Sequence, residues 1–181
     1  IVITYKSTPS LSITNSPVTY NGSPQAVVLS ASFGVTPVAG TFSNILYNGS
    51  ATIPTNAGSY PIVADFTPTD TANYNSVTNV AVGTFVINKA TPTLSASGGP
   101  FTFDGSPHAA TVTGSVPGSV SNIKYNGSAT APTDAGTYAV TADFAPTDVT
   151  NYNTLTNGLA GNFLINKAAT TTTVTCAAGP F

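Results

Sequence analysis

Apolar and polar residues alternate along this chain in short runs, and no segment sustains a helical period. In the run from Tyr138 to Phe144, Tyr138, Val140, Ala142 and Phe144 fall on one face of an extended strand. Ala139, Thr141 and Asp143 fall on the other. Tyr60, Ile62, Ala64 and Phe66 repeat the pattern, with Pro61 fitting a strand only near its start or on an edge. Phe85 and Ile87, with Phe163 and Ile165, mark the inward face of a last strand. Ile45 and Tyr47, with Ile123 and Tyr125, mark a middle one. Lys124 stands where the earlier run has Leu46, so that position points outward. Tyr-Asn-Gly-Ser at 47–50 predicts a hairpin turn, because Asn-Gly accepts the positive φ of type I′. Asp104-Gly105 predicts a similar turn. About seven short strands per copy is the number expected of an immunoglobulin-like sandwich.

The pattern occurs twice. Tyr-Asn-Gly-Ser-Ala-Thr at 47–52 returns at 125–130, a period of about 78 residues. Between 40–89 and 118–167, roughly 30 of about 50 positions are identical without a gap. The expected fold is all-β, with two tandem sandwiches over 7–89 and 90–167. Residues 1–6 match the last strand of a preceding repeat, and 168–181 the first strand of a following one. Both ends fall mid-repeat, which reads as a window on a longer array. Short Pro-containing junctions at Lys6/Ser7 and Lys89/Ala90 predict a semi-rigid rod. Repetition at domain length favours reach, spacing and contact surface over an enzyme, which needs one asymmetric site.

Charged residues are 6% of the chain, against roughly 25% in an average domain. Arg, Glu, Met and Trp are absent, and the net charge is −2. Without a basic cluster to neutralise phosphates, nucleic acid and anionic membranes are poor partners. No apolar run approaches the length of a spanning helix. Cys176 is alone, so no intrachain disulfide forms. Its alignment with Ala96 predicts a small core residue, the alternative being a reactive or intermolecular thiol.

Candidate chemistry is sparse. His108, the one histidine, stands where the first copy has Gln25. It reads as a surface polar residue rather than a catalytic base. No cofactor is expected. The nearest approach to a metal site is Asp65, Asp70, Asp143 and Asp148, beside Asn-Tyr-Asn at 73–75 and 151–153. Calcium wants six to eight oxygens, so turn capping is the competing reading. Lys89 and Lys167 suit surface ion pairs with Asp65 and Asp143, or an isopeptide link. Asn21, Asn48 and Asn126 satisfy the glycosylation pattern and equally fit turns. Tyr74 and Tyr152 are the repeated candidates for ligand contact, against a role as loop anchors.

Asn56-Ala-Gly-Ser-Tyr60 and Asp134-Ala-Gly-Thr-Tyr138 resemble the tyrosine corner of immunoglobulin-like domains, where a Tyr bonds back to the upstream backbone. Gly58 and Gly136 permit the approach, and Asn56 or Asp134 holds the turn. Ile62 and Val140 stand where antibody domains carry a cysteine. With Lys-Ala-Thr-Pro at 89–92, the starts at 20–24 and 103–107, and Asn-Tyr-Asn, the chain resembles bacterial immunoglobulin-like repeats of the MBG type. These occur in tandem in long secreted and surface proteins. The resemblance implies an extracellular or cell-surface setting and no catalytic residue. The leading expectation is a structural segment of a fibre, stalk or adhesin, with like repeats or neighbouring subunits as partners. The alternative is a module binding glycans or surface proteins.

Overall fold

The computed structural model describes residues 5–175 and 179. Every regular element among them is a β-strand, and the chain divides into two compact units. One comprises Ile1–Ala90 with Thr150–Tyr152, the other Thr91–Val149 with Asn153–Phe181.

In the first unit, β1 (Ser10–Ile13), β3 (Leu29–Phe33) and β4 (Thr36–Pro37) form an antiparallel sheet. The second sheet has the order β2 (Val18–Thr19), β7 (Val77–Asn88), β6 (Gly58–Pro68), β5 (Gly40–Tyr47). β2 runs parallel to β7, and the other pairs are antiparallel. Val27, Tyr47, Ile62, Phe85 and Ile87 form one core cluster, and Ala31, Val38 and Phe66 a second. Fully burying a side chain such as Ile62 or Phe85 stabilises the fold by roughly 1.5–3 kcal/mol. Alternation along β6 buries Ile62, Ala64 and Phe66, as their spacing predicts.

The second unit pairs β8 (Leu94–Ser97) with β10 (Thr111–Gly114). Its larger sheet has the order β11 (Gly118–Tyr125), β12 (Gly136–Pro146), β13 (Leu155–Asn166), β9 (Phe101–Thr102). Its core gathers Val112, Tyr125, Val140, Ala142, Phe163 and Ile165. Both units are therefore immunoglobulin-like β-sandwiches in tandem. Among the described residues the first has seven strands and the second six, because the chain passes from Gly114 to Gly118 without a counterpart of β4. At Gly114 a Cβ would collide with the Phe144 ring, so the ring occupies that space.

β5 and β11, middle strands in chain order, lie at sheet edges. Pro61, expected near a strand's start or on an edge, is the fourth residue of β6, a strand paired on both sides. It is tolerated because its nitrogen faces beyond the last β5 pair, Tyr47↔Ile62. At the equivalent position Ala139 N–H donates to the turn side chain Asn126 Oδ1, not to a ladder carbonyl. The two turn types also differ. Asn48 (φ 48°) and Gly49 (φ 83°) are both left-handed, as type I′ requires. In the Asp104-Gly105 turn only Gly105 (φ 81°) is, and the Asp side chain accepts from Ser106 N–H.

The strands expected at the chain ends are not found where the chain is described. Tyr5, Lys6 and residues 168–175 lie outside any strand. The remainder of those expectations, including Cys176, lies outside the described residues.

Candidate functional site

The strand entries carry the first recurring geometry. Tyr60 Oη donates to the Asn56 carbonyl at 2.8 Å, and Tyr138 Oη to the Asp134 carbonyl at 2.8 Å. Each ring lies over a glycine: a Cβ at Gly58 would meet Tyr60 Oη at 3.2 Å, and one at Gly136 would meet Tyr138 Oη at 3.4 Å. A second tyrosine pair escaped the sequence reading. Val27 N–H donates to buried Tyr47 Oη at 3.0 Å, and Ala110 N–H to Tyr125 Oη at 2.8 Å.

Asp65 and Asp143 sit half-buried on the central strands, each facing two β-bulges. Asp65 accepts from Asn44 Nδ2 (2.6 Å) on β5 and from Asn79 N–H (2.7 Å) on β7. Asp143 accepts from Asn122 Nδ2 (2.6 Å) and Asn157 N–H (2.8 Å). All four asparagines adopt left-handed φ between 48° and 53°, where Asn is tolerated. The Asn79 N–H first, then the Asn44 amide, hold the Asp65 carboxyl below its ordinary 3.8. For Asp143 the Asn122 amide acts most, then the Asn157 N–H, with the Lys124 charge adding to them. Lys124 Nζ also donates to Asn157 Oδ1 at 3.1 Å, so Lys124 is the cation placed beside Asp143.

Asp70 caps its loop, accepting from Ala72 N–H, Asn73 N–H and Asn73 Nδ2. The Asn73 side chain foremost holds its carboxyl low. Asp148 is not free either. Among the described residues no three His, Cys, Asp or Glu side chains converge as metal ligands do. Of the carboxylates weighed for calcium, Asp65, Asp70 and Asp143 each accept from N–H donors.

His108 corrects its surface assignment. Its side chain is 13% exposed, stacks on Phe101 at 4.2 Å and meets Asp104 Oδ1 at 3.0 Å. The stack and the bond hold the Asp104-Gly105 turn against Phe101 of β9. Asp104 is held low by the Ser106 N–H first, then by His108. Among the sequons, Asn21 Oδ1 accepts from Ser23 N–H and Asn126 Oδ1 from Ala139 N–H, both as turn residues do.

The Asn-Tyr loops end differently. In the first unit Asn151, only 5% exposed, accepts from Ala57 N–H at its Oδ1 (2.8 Å). Its Nδ2 donates to Asn56 Oδ1 (3.2 Å), and its carbonyl accepts from Ala90 N–H (2.8 Å). Tyr152 meets the Tyr20 ring edge-on at 5.4 Å. Asn73 is exposed, and Tyr74 meets Phe33 at 6.4 Å. Both tyrosines are half-buried loop anchors.

What these groups do chemically is uniform: they bond backbone amides, turn residues and one another. The family model for the MBG domain matches residues 9–91 and again 94–170. No match to the curated proteins was found.

Proposed function

This chain belongs to the MBG domain family, and from that premise we propose that it is a structural repeat segment of an extracellular or cell-surface fibre, stalk or adhesin. Its partners are like repeats, in the same chain or in neighbouring subunits of a head-to-tail filament. The observation that carries this reading is the duplication of polar roles. Tyr60 and Tyr138, Asp65 and Asp143, and Tyr47 and Tyr125 make the same bonds in both repeats. Each of these groups is engaged by the backbone or an asparagine side chain of its own unit. Groups that hold a sandwich together recur. Immunogold labelling of the native protein on intact cells tests the assignment. Surface label in extended arrays is expected, and label confined to the cell interior would sink it.

A second reading, a binding module for glycans or surface proteins, draws on one asymmetry. The β3–β4 hairpin exists only in the first repeat and presents Val35 fully exposed and Phe33 half-exposed. Exposed apolar residues on a loop-borne hairpin are where recognition concentrates. Saturable signal on a glycan or protein array, lost in Val35→Ser, would move the assignment to this reading.

A further inference from the structure

The second unit carries an open recess of about 360 Å³, lined by Phe103, Ala135, Lys167, Ala168 and Thr170. Its lining is the repeat-equivalent of the groups that hold Asn151 and Tyr152 in the first unit. Phe103 stands for Tyr20, Asp134 for Asn56, Ala135 for Ala57 and Ala168 for Ala90. In the first unit these positions are engaged, as Ala57 N–H, Asn56 Oδ1, Ala90 N–H and the Tyr20 ring each contact the Asn-Tyr dipeptide. In the second unit no described residue accepts from Ala135 N–H or Ala168 N–H, none donates to the Asp134 carboxylate, and Phe103 is 40% exposed.

We propose that this recess is a docking site for the Asn-Tyr dipeptide of a further MBG repeat joined behind Lys167. The chemistry selects that occupant. An asparagine amide offers one acceptor and two donors, matching Ala135 N–H and the Asp134 carboxylate. Asp134 in place of Asn56 makes the acceptor charged, which strengthens the bond to Nδ2. The dipeptide's carbonyl meets Ala168 N–H, and its tyrosine ring meets Phe103 edge-on, an arrangement aromatic pairs favour. A shorter polar residue would leave Ala135 N–H unpaired, and an aliphatic one would leave the Asp134 carboxylate without a donor. The inference rests on the tandem-repeat reading and names the partner it requires.

Amide hydrogen exchange followed by NMR tests it, with Ala57 and Ala135 as reporters. In the 181-residue chain, Ala57 should exchange roughly fivefold slower than Ala135, the effect of one ordinary hydrogen bond. Asn151→Ala should bring Ala57 to the Ala135 rate, with Val140 unchanged as a sign that the units stay folded. If Ala57 remains protected, the amide recognition is wrong and the proposal falls. Joining a second copy of residues 90–167 behind Lys167 should slow Ala135 to the Ala57 rate. Alanine in place of the added copy's loop asparagine should reverse that. No change at Ala135 beside a folded third repeat would overturn the proposal. Equal protection from a separate, equimolar copy of the chain would overturn the claim that the joined repeat is the occupant. None of these outcomes alters where the protein is found on the cell, so the structural reading stands or falls on the labelling experiment alone.

Discussion

A tyrosine hydroxyl bonded to a carbonyl four residues upstream ties the first turn of backbone before a strand to the strand itself. Tyr60 and Tyr138 do this at the entries of β6 and β12. Tyr→Phe at either position should destabilise its unit by about 1 kcal/mol, measured as a shift of the urea midpoint; equal midpoints would show the bond to be without net effect. The motif was legible because it is local: Ala-Gly-x-Tyr contains both the ring and the glycine it covers. The Tyr47 and Tyr125 hydroxyls were not, because their donors are main-chain N–H groups of Val27 and Ala110, which no side chain announces. For Pro61, expected near a strand's start or on an edge, the structure decides for the start. Sequence places a proline in a strand but does not tell which way its missing N–H would point. Since Ala139 N–H serves only the Asn126 side chain, Ala139→Pro should change stability by no more than about 1 kcal/mol. The lost bond is offset by the restricted unfolded chain. Loss of folding on that substitution would refute the account given for Pro61.

Each central strand is fastened to both neighbours by one carboxylate. Asp65 joins the bulge at Asn44 on β5 to that at Asn79 on β7, and Asp143 does the same for β11 and β13. Bulges add twist and interrupt ladders at edges, where a flat strand would invite pairing with other chains. The strands themselves followed from alternation. The bulges did not, since Asn44 and Asn79 look like ordinary polar residues until their left-handed φ brings them to the aspartate. That is also why these carboxylates resembled calcium ligands in the sequence: oxygen-bearing residues cluster either way. The fastening has a pH signature. Asp65, Asp70, Asp104 and Asp143 all have folded values below 3.8, so folding binds fewer protons than the unfolded chain does near that pH. Their contribution is complete above 3.8 and is lost as pH falls through the lower folded values. Urea midpoints should therefore hold level from neutrality to about pH 5 and decline below 3.8. The Asp65→Asn, Asp143→Asn double variant should be less stable at neutral pH and show a shallower acid decline. An acid decline as steep as the parent's would place the lability elsewhere.

At the scale of the whole molecule, the chain offers trypsin four lysines, and their surroundings differ. Repetition alone predicts that Lys89 and Lys167 behave alike, since each closes a copy in Ile-Asn-Lys-Ala. The structure separates them. Ala90 N–H, on the far side of the Lys89 bond, is held by the Asn151 carbonyl, and Ala90 bridges Tyr152. Ser7 N–H behind Lys6 is held by the Asn73 carbonyl, while Asn75 Nδ2 donates to the Lys6 carbonyl. Lys124 lies within β11. Lys167 follows the last residue of β13, and no described residue accepts from Ala168 N–H behind it. A protease needs several residues of extended, mobile backbone, so cleavage tracks local opening rather than side-chain exposure. Native trypsin should therefore cut first at Lys167, leaving a folded product that carries both sandwiches. Cleavage at Lys89, Lys6 and Lys124 should wait for opening of the units. The Asn151→Ala variant should bring the Lys89 cut forward while leaving the Lys167 rate as it was. Mass spectrometry of the timed digest distinguishes the orders. Early cutting at Lys89 in the parent chain would mean that the loop contact at Ala90 opens faster than the enzyme acts, and the engaged site in the first unit would then be a weak one.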